Sequence, residues 1–272
     1  MTTKRWDSRR VYVALVFVPL FYALVRYAPP IAFFTLVAAA AFLAVAEFYR
    51  LHFRDEGLPV TVMALGVGTT ALILASFQWP GGMSERTLVL AIVIGALLHR
   101  LCGRRTVAHG LMDPAVAAFG PLYIGLCLGH LLLTRAMPEG EFLIFALFLI
   151  TWAADTGAYY VGTSLGRHKL ASTISPNKTV EGVAGGLMAA MLTTFLAQAW
   201  FLPSLTIQDC VAVACLLTVA GLLGDLTESA MKRDAGVKDS GSIIPGHGGM
   251  LDRLDSLLFT APAFYYYVSL AK

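Results

Sequence analysis

The sequence predicts an all-α fold, a polytopic helical integral membrane protein with about nine transmembrane helices. The chain is 57% hydrophobic and only 14% charged, with a mean hydropathy of +0.71. A helix that crosses the hydrocarbon core of a bilayer needs about 20 mostly apolar residues. Apolar runs of nearly this length recur along the chain, and its basic residues are distributed unevenly between alternate loops.

The predicted spans account for most of the chain. The fourth is the weakest, because its uninterrupted apolar stretch, TLVLAIVIGALL, is short for a full crossing. Nine spans in 272 residues leave no room for a separate soluble domain. We therefore treat residues 1–140, the N-terminal helices, and 141–272, the C-terminal helices with the catalytic loops, as one integrated membrane unit. The spans are 11–28, 31–49, 59–77, 86–101, 112–133, 141–161, 182–202, 208–224 and 255–271.

The basic residues indicate the orientation of these spans. Cytoplasmic loops of membrane proteins carry an excess of Lys and Arg. With the N-terminus inside, nine spans place all but four of the 20 Lys and Arg residues on the inner side. The bias supports the number of spans and predicts that the loops after the sixth and eighth spans face the cytosol. The net charge of +3 reflects this topology and does not indicate nucleic-acid binding.

The first of three polar clusters in the second half is WAADTGAYYVG, residues 152–162. Asp155 falls inside a predicted span. An acid at the centre of a bilayer costs about 2.5–3.5 kcal/mol on insertion scales, so such a residue usually has a function. We interpret Asp155 as part of a site or its direct support. A structural ion pair or a position at the water interface is the alternative.

The second cluster, GRHKLASTISPNKTVEGVAGG, residues 166–186, joins two spans on the predicted cytosolic side. Thr179 is suited to cap the helix that follows, and an exposed helix start favours anions. Lys178 beside that helix start suits a phosphate group. An ordinary basic loop is the alternative.

The third cluster extends from residue 225 to residue 256. If the eighth helix continues through 225–233, then Asp225, Glu228, Ser229 and Lys232 share one face. The stretch after it, from Gly236 to Gly249, is rich in glycine, cannot continue the helix and is predicted to be a loop, which we call the Gly-rich loop. The last span then opens with LDRLDS, whose two acids lie three positions apart, again on one face.

Two groups of carboxylates therefore flank a Gly-rich loop with several cations. Mg²⁺ is usually bound through one or two carboxylates together with substrate phosphates, and Lys and Arg bind phosphate charge. The pattern indicates phosphoryl or nucleotidyl transfer at a membrane surface, with a solvated charged loop as the alternative. The sequence contains no GxxxxGK[ST], HExxH or GxSxG motif.

The stretch SAMKRDAGVKDSGSIIPGHGGMLDRLD, residues 229–255, resembles the signature of the phosphatidate cytidylyltransferases, or CDP-diacylglycerol synthases. GDLTES, GRHKLASTISPNKTVEG and ADTGAY resemble further motifs of that family, so the resemblance covers roughly residues 150–256. Val180 is a departure, because many members have Trp at that position. The first half of the chain carries no motif of the family, only a compatible number of helices.

The resemblance implies a reaction in phospholipid biosynthesis, in which CTP and phosphatidic acid give CDP-diacylglycerol and pyrophosphate. The implied partners are CTP, phosphatidic acid and the lipid bilayer; no nucleic acid is implied, and a homodimer is left open. The implied location is the bacterial inner (plasma) membrane, with the active site facing the cytosol. The lipid phosphate is itself an anionic nucleophile, so no Ser, Cys or His nucleophile is required.

The residues that match the family motifs take their expected roles from the resemblance. Mg²⁺ is expected on Asp225 and Asp252, with a second cation left open. The predicted catalytic residues are Asp225, Asp252, Lys232, Arg233, Lys238, His247 and Arg253. The predicted substrate-binding residues are Lys178, Ser229, Asp239, Gly248, Gly249, Asp155 and Asp255.

Two other functions remain open at this point. A CTP-dependent lipid kinase, such as a polyprenol kinase, would also bind CTP in a membrane bundle but would transfer the γ-phosphate. A transporter would place its charges at helix breaks near the midplane of the bilayer, whereas here they gather near one surface. The CDP-alcohol phosphotransferases are excluded because their DGxxAR motif is absent.

Overall fold

The computed structural model describes residues 8–54, 57–82, 84–102, 110–241 and 248–271, with side chains from residue 18 onward. Within these ranges the chain forms nine helices and one antiparallel pair of short strands. In chain order they are α1 (Ser8–Tyr27), α2 (Pro30–His52), α3 (Val60–Gln78), α4 (Glu85–Cys102), α5 (Met112–Ala136), α6 (Gly140–Leu165), β1 (Lys169–Ala171), β2 (Ser175–Thr179), α7 (Val180–Trp200), α8 (Ile207–Asp234) and α9 (Leu251–Ala271).

The prediction of an all-α membrane protein is confirmed at the level of length and composition. Six of the described helices, α2, α3, α5, α6, α7 and α8, are long and apolar enough to cross a membrane. Helices α1, α4 and α9 are not among these six, and α4 and α9 carry charged residues near their ends, such as Arg100 in α4 and Asp255 in α9. The structure therefore supports six spans directly, and the larger number remains an expectation.

Polar contacts gather at two opposite ends of the helix bundle. At one end, which we call the site end, the end of α2 meets the start of α5 through His52 and Asp113 (Nε2 to Oδ1, 3.1 Å). There Arg54 also donates to the backbone oxygen of Ala235, just after α8. At the other end, Glu141 at the start of α6 contacts both Arg26 at 2.8 Å and Arg135 at 3.3 Å. Successive helices thus run in alternating directions between the two ends.

Helices α6 and α7 pack with their backbones in direct contact. A Cβ atom added at Gly157 would lie 2.7 Å from the backbone oxygen of Gly185, and one at Gly186 would lie 2.8 Å from that of Ala154. Small residues allow this close approach between helices. The packing fixes Asp155, the neighbour of Ala154, relative to α7 and the strand that precedes it.

The N-terminal half is anchored by a buried tyrosine of α2. Tyr49 is fully buried, and its hydroxyl donates to the backbone oxygen of Ala117 in α5 over 2.7 Å. Any side chain at Gly66 of α3 would collide with the Tyr49 ring. Helices α2, α3 and α5 are therefore locked around one side chain, close to the site end.

The segment 166–179, predicted as a loop, contains a β-hairpin. Lys169 pairs with Thr179 and Ala171 with Ser175, and the turn lies between the two strands. The strands are only three and five residues long and show no regular alternation of apolar and polar residues, which is the usual sequence signal for a strand. The predicted cap is confirmed, because the Thr179 side chain accepts a hydrogen bond from the Gly182 amide at the start of α7.

Candidate active site

The first half of the site is an ion pair between the β-hairpin and α8. Lys178 Nζ on β2 lies 2.7 Å from Asp225 Oδ2, and Ser229 Oγ donates to Asp225 Oδ1 at 3.2 Å. The two charged side chains are 19% and 34% exposed. The structure thus brings together three predicted site residues, and we call Lys178 and Asp225 the hairpin pair.

Arg233 connects the β-hairpin to the loop that follows α8. Its Nε donates to the backbone oxygen of Ile174 at 3.4 Å, and one terminal nitrogen donates to that of Val237 at 3.2 Å. Arg233 was predicted to add positive charge to the site. In the structure it also holds the turn of the β-hairpin against the end of α8.

The second half of the site is a buried ion pair between α8 and α9, which we call the loop pair. Lys232 Nζ lies 2.6 Å from Asp252 Oδ1 and 2.5 Å from Glu228 Oε2. The side chains of Lys232, Asp252 and Glu228 are 13%, 8% and 1% exposed. Because Glu228 and Lys232 are four residues apart on one helix, the predicted shared face of α8 is confirmed.

Asp252 also organises the Gly-rich loop. Its Oδ2 accepts hydrogen bonds from the amide of Ser240 at 2.9 Å, from the Ser240 hydroxyl at 3.0 Å and from the amide of Gly249 at 2.8 Å. Gly248 has a φ of +80°, a conformation that residues with a side chain rarely adopt. The predicted contacts of Gly248 and Gly249 with substrate remain expectations, since in the structure the Gly249 amide is directed at Asp252.

Asp155 and Asp255 lie beside the hairpin pair. The hydroxyl of Ser256 donates to Asp155 Oδ1 at 3.4 Å, and its amide donates to Asp255 Oδ1 at 2.7 Å. The carboxylates of Asp155, Asp225 and Asp255 are close enough to repel one another electrostatically. Three acids from three helices therefore form one region of negative charge.

The remaining predicted residues are on the surface or outside the described residues. The side chains of Lys238, Asp239 and Arg253 are exposed around the loop pair. His247 falls in the segment 242–247 and lies outside the described residues. The roles predicted for these four residues remain predictions.

The donors at the site fit Mg²⁺ in chemistry. Carboxylate oxygens are its preferred protein ligands, and one or two of them usually bind it together with phosphates and water. Asp225 fits this role better than Asp252, because its side chain is 34% exposed whereas Asp252 already lies within hydrogen-bond distance of four donor groups. Among the described residues, no group of three or more His, Cys, Asp or Glu is arranged to hold a metal ion. A bound Mg²⁺ would therefore take its other ligands from water and from the phosphates of the substrate.

Three residues that contact the loop pair or its hydrogen-bond partners, Glu228, Ser240 and Glu47, were not assigned to the site from the sequence. Glu228 was placed on the correct face of α8 but was given no role, and Ser240 offered no signal. Glu47 on α2 is fully buried and accepts hydrogen bonds from Ser240, Met250 and Leu251. The signal that singled out Asp155, an acid within an apolar span, applies equally to Glu47 in AVAEFYR.

The chain is similar to proteins of a known family over nearly its whole length. A model of the cytidylyltransferase family matches residues 8–271. The chain belongs to the cytidylyltransferase family. Among its curated relatives, the phosphatidate cytidylyltransferase of Staphylococcus aureus (strain COL) is 44% identical over 224 residues, which cover 82% of this chain and 84% of that protein. The resemblance that the motifs indicated is therefore confirmed.

Two further relatives extend the match to more distant members of the family. The phosphatidate cytidylyltransferase of Bacillus subtilis (strain 168) is 38% identical over 196 residues, which cover 72% of each chain. That of Staphylococcus saprophyticus is 35% identical over 223 residues, which cover 82% of this chain and 84% of the relative. The cytidylyltransferase match thus includes the N-terminal half, in which no motif was recognised.

Proposed function

We propose that this cytidylyltransferase-family chain catalyses the reaction of CTP with phosphatidic acid to give CDP-diacylglycerol and pyrophosphate. The observation that carries the proposal is the convergence of the hairpin pair and the loop pair at one end of an apolar helix bundle. Relatives that cover most of the chain bear the name of this activity. The alternative of a lipid kinase has no comparable support.

The chemistry requires charge neutralisation more than a side-chain nucleophile. An oxygen of the lipid phosphate forms a bond to the α-phosphorus of CTP. The bond from that phosphorus to the bridging oxygen breaks, and pyrophosphate leaves with the electron pair. The barrier comes from bringing one anion to another, so preorganised cations are the main resource of such a site.

The two lysines are the cations best placed for this task. Lys178 and Lys232 each carry three N–H donors and each now contacts an Asp. In this proposal Lys178, the more exposed of the two, exchanges part of its contact with Asp225 for a phosphate oxygen. Lys232 keeps Asp252 oriented toward the loop. Mg²⁺ held by Asp225 and Asp252, when bound, would neutralise the triphosphate and the departing pyrophosphate.

We further propose that all nine helices cross the bacterial plasma membrane, with the site end in the cytosol. The excess of Lys and Arg in alternate loops supports this orientation. The alternating directions of the helices place both the β-hairpin and the Gly-rich loop at that same end. The contacts of α2 with α9 support the treatment of residues 1–140 and 141–272 as one unit. Association into a homodimer remains an expectation.

Cysteine labelling tests the orientation. Ser172, in the turn of the β-hairpin, and Ser204, between α7 and α8, are both exposed and lie at opposite ends of the bundle. In a variant without the four native cysteines, Ser172→Cys should react with an impermeant thiol reagent only from the cytosolic side. Ser204→Cys should react only from the other side. Labelling of both positions from one side would contradict the nine-span arrangement.

Isotope labelling tests the reaction itself. The purified chain is given phosphatidic acid, Mg²⁺ and CTP labelled at either the α- or the γ-phosphate. We expect the α-label in the lipid product and the γ-label in pyrophosphate, with Asp225→Asn as the inactive control. A γ-label in the lipid would instead identify a kinase. A panel of other lipid phosphates in the same assay would show whether phosphatidic acid is the preferred acceptor.

A further inference from the structure

Glu47 is a buried acid in the half of the chain that carries no family motif. It lies on α2, the most apolar of the six candidate spans, five residues before the helix ends. Its side chain has no exposed surface. A carboxylate in such surroundings is costly unless hydrogen bonds or opposite charge compensate it. The hydrogen-bond partners of Glu47 should therefore indicate its role.

All three hydrogen bonds described for Glu47 come from the Gly-rich loop and the start of α9. Oε1 accepts from the amide of Met250 at 2.9 Å, and Oε2 accepts from the amide of Leu251 at 2.8 Å and from the Ser240 hydroxyl at 3.0 Å. Met250 directly precedes α9, and Leu251 is its first residue. The first amides of a helix lack partners within the helix and favour an anion. Glu47 thus caps α9 from a different helix.

The same hydrogen bonds hold the two described ends of the Gly-rich loop together. Ser240 lies before the segment 242–247, and Met250 lies after it. A Cβ atom at Gly241 or at Gly249 would collide with the Glu47 carboxylate. The two described ends of the loop therefore lie against Glu47, and the lack of space beside its carboxylate requires glycine at positions 241 and 249.

A single residue, Ser240, connects Glu47 to the loop pair. The Ser240 hydroxyl lies 3.0 Å from Glu47 Oε2 and 3.0 Å from Asp252 Oδ2, and its single proton can serve only one of them at a time. Asp252 then contacts Lys232. A continuous polar chain thus extends from α2 through the loop to α8.

We propose that Glu47 is a positioning residue for the transfer reaction. It fixes the two described ends of the Gly-rich loop and, through Ser240, the orientation of Asp252 and Lys232 toward the nucleotide. The inference rests on the proposed function, because it assigns the loop pair to the triphosphate. It also gives the N-terminal half a direct part in the active site.

The test is Glu47→Gln in the full-length purified chain, assayed for kcat and for the KM of CTP and of phosphatidic acid. Glutamine has one acceptor oxygen, so its NH₂ group must face the amide of either Met250 or Leu251. We expect kcat/KM for CTP to fall about tenfold, the size expected for losing a hydrogen bond to a charged group. The KM for phosphatidic acid should change less than twofold, since the proposal assigns this network to the nucleotide and not to the lipid.

Tyr49→Phe is the matched control. Tyr49 lies on the same helix and is equally buried, but its hydroxyl bonds to Ala117 in α5 and not to the loop. It should lower the thermal unfolding temperature while leaving the KM for CTP unchanged. If both variants lose stability and both show a higher KM for CTP and for phosphatidic acid, the role of Glu47 is purely structural and the proposal is overturned.

Ser240→Ala is the milder second variant and decides the matter if Glu47→Gln does not fold. It removes the hydroxyl that Glu47 and Asp252 share and keeps the hydrogen bond from the backbone amide of residue 240 to Asp252. We expect a smaller loss of kcat/KM for CTP, and no additional loss when it is combined with Glu47→Gln. Wild-type kinetics in Ser240→Ala would overturn the inference. A wild-type chain that forms no CDP-diacylglycerol would instead overturn the proposed function.

Discussion

The hairpin pair and the loop pair have the same chemistry but different surroundings. Each joins a Lys and an Asp, at 2.7 Å in the hairpin pair and 2.6 Å in the loop pair. Asp225 is 34% exposed, whereas Asp252 is 8% exposed and lies within hydrogen-bond distance of four donor groups. Exposed pairs contribute little to stability, whereas breaking a buried pair is strongly destabilising. The hairpin pair is therefore suited to exchange with ligands, and the loop pair to hold the site together.

The largest effect is expected for Asp252→Ala. The change removes the acceptor of the Ser240 and Gly249 amides in a buried site and leaves Lys232 with Glu228 as its described acidic partner. Removing one partner of a buried pair typically costs about 3–5 kcal/mol, so both CDP-diacylglycerol formation and the unfolding temperature in detergent should fall. An unfolding temperature equal to that of the wild type would show that the loop pair does not stabilise the fold.

The next largest effect is expected for Asp225→Asn, and it should separate activity from stability. The partly exposed pair with Lys178 should contribute no more than about 1 kcal/mol to stability. Activity should fall by about 100-fold or more, the usual result of removing one preorganised electrostatic group, and added Mg²⁺ should not restore it. A loss of stability as large as that of Asp252→Ala would make the two pairs equivalent and contradict the comparison.

The smallest effect is expected for Gly248→Ala, measured against Gly236→Ala. Both glycines have positive φ, +80° and +66°, so an added side chain costs about 1–2 kcal/mol at either position. Only at Gly248 would the new Cβ also meet Asp252 Oδ2, at 2.7 Å, while nothing lies within 4 Å at Gly236. Activity should therefore fall more in Gly248→Ala. Equal losses would show that strain alone is responsible.

Local patterns in the sequence predicted the helical parts of the site well. The i, i+4 spacing of Glu228 and Lys232 and of Asp225 and Ser229 placed each pair in contact, as the structure confirms. The cap at Thr179 and the start of the last helix at LDRLDS followed from equally local signals. These features depend on residues that are neighbours along one helix, and periodicity is informative there.

Contacts between distant segments could not be predicted in the same way. Glu47 and Ser240 are 193 positions apart, and no spacing rule relates them. The pairing of Lys178 with Asp225 likewise depends on how the β-hairpin folds back onto α8. The loop pair differs from the hairpin pair in its burial. Burial is a property of the packed bundle and cannot be read from either segment alone.

The backbone contact between α6 and α7 limits the routes by which lipids can enter and leave the helix bundle. At Gly157 and Gly186 the two helices leave no space for a single added carbon atom. These positions have no room for an acyl chain either, so a diacyl lipid cannot pass there without separating the two helices. This wall of the bundle is therefore closed to lipid. We expect the lipid substrate to enter, and the lipid product to leave, by a route that avoids the α6–α7 seam.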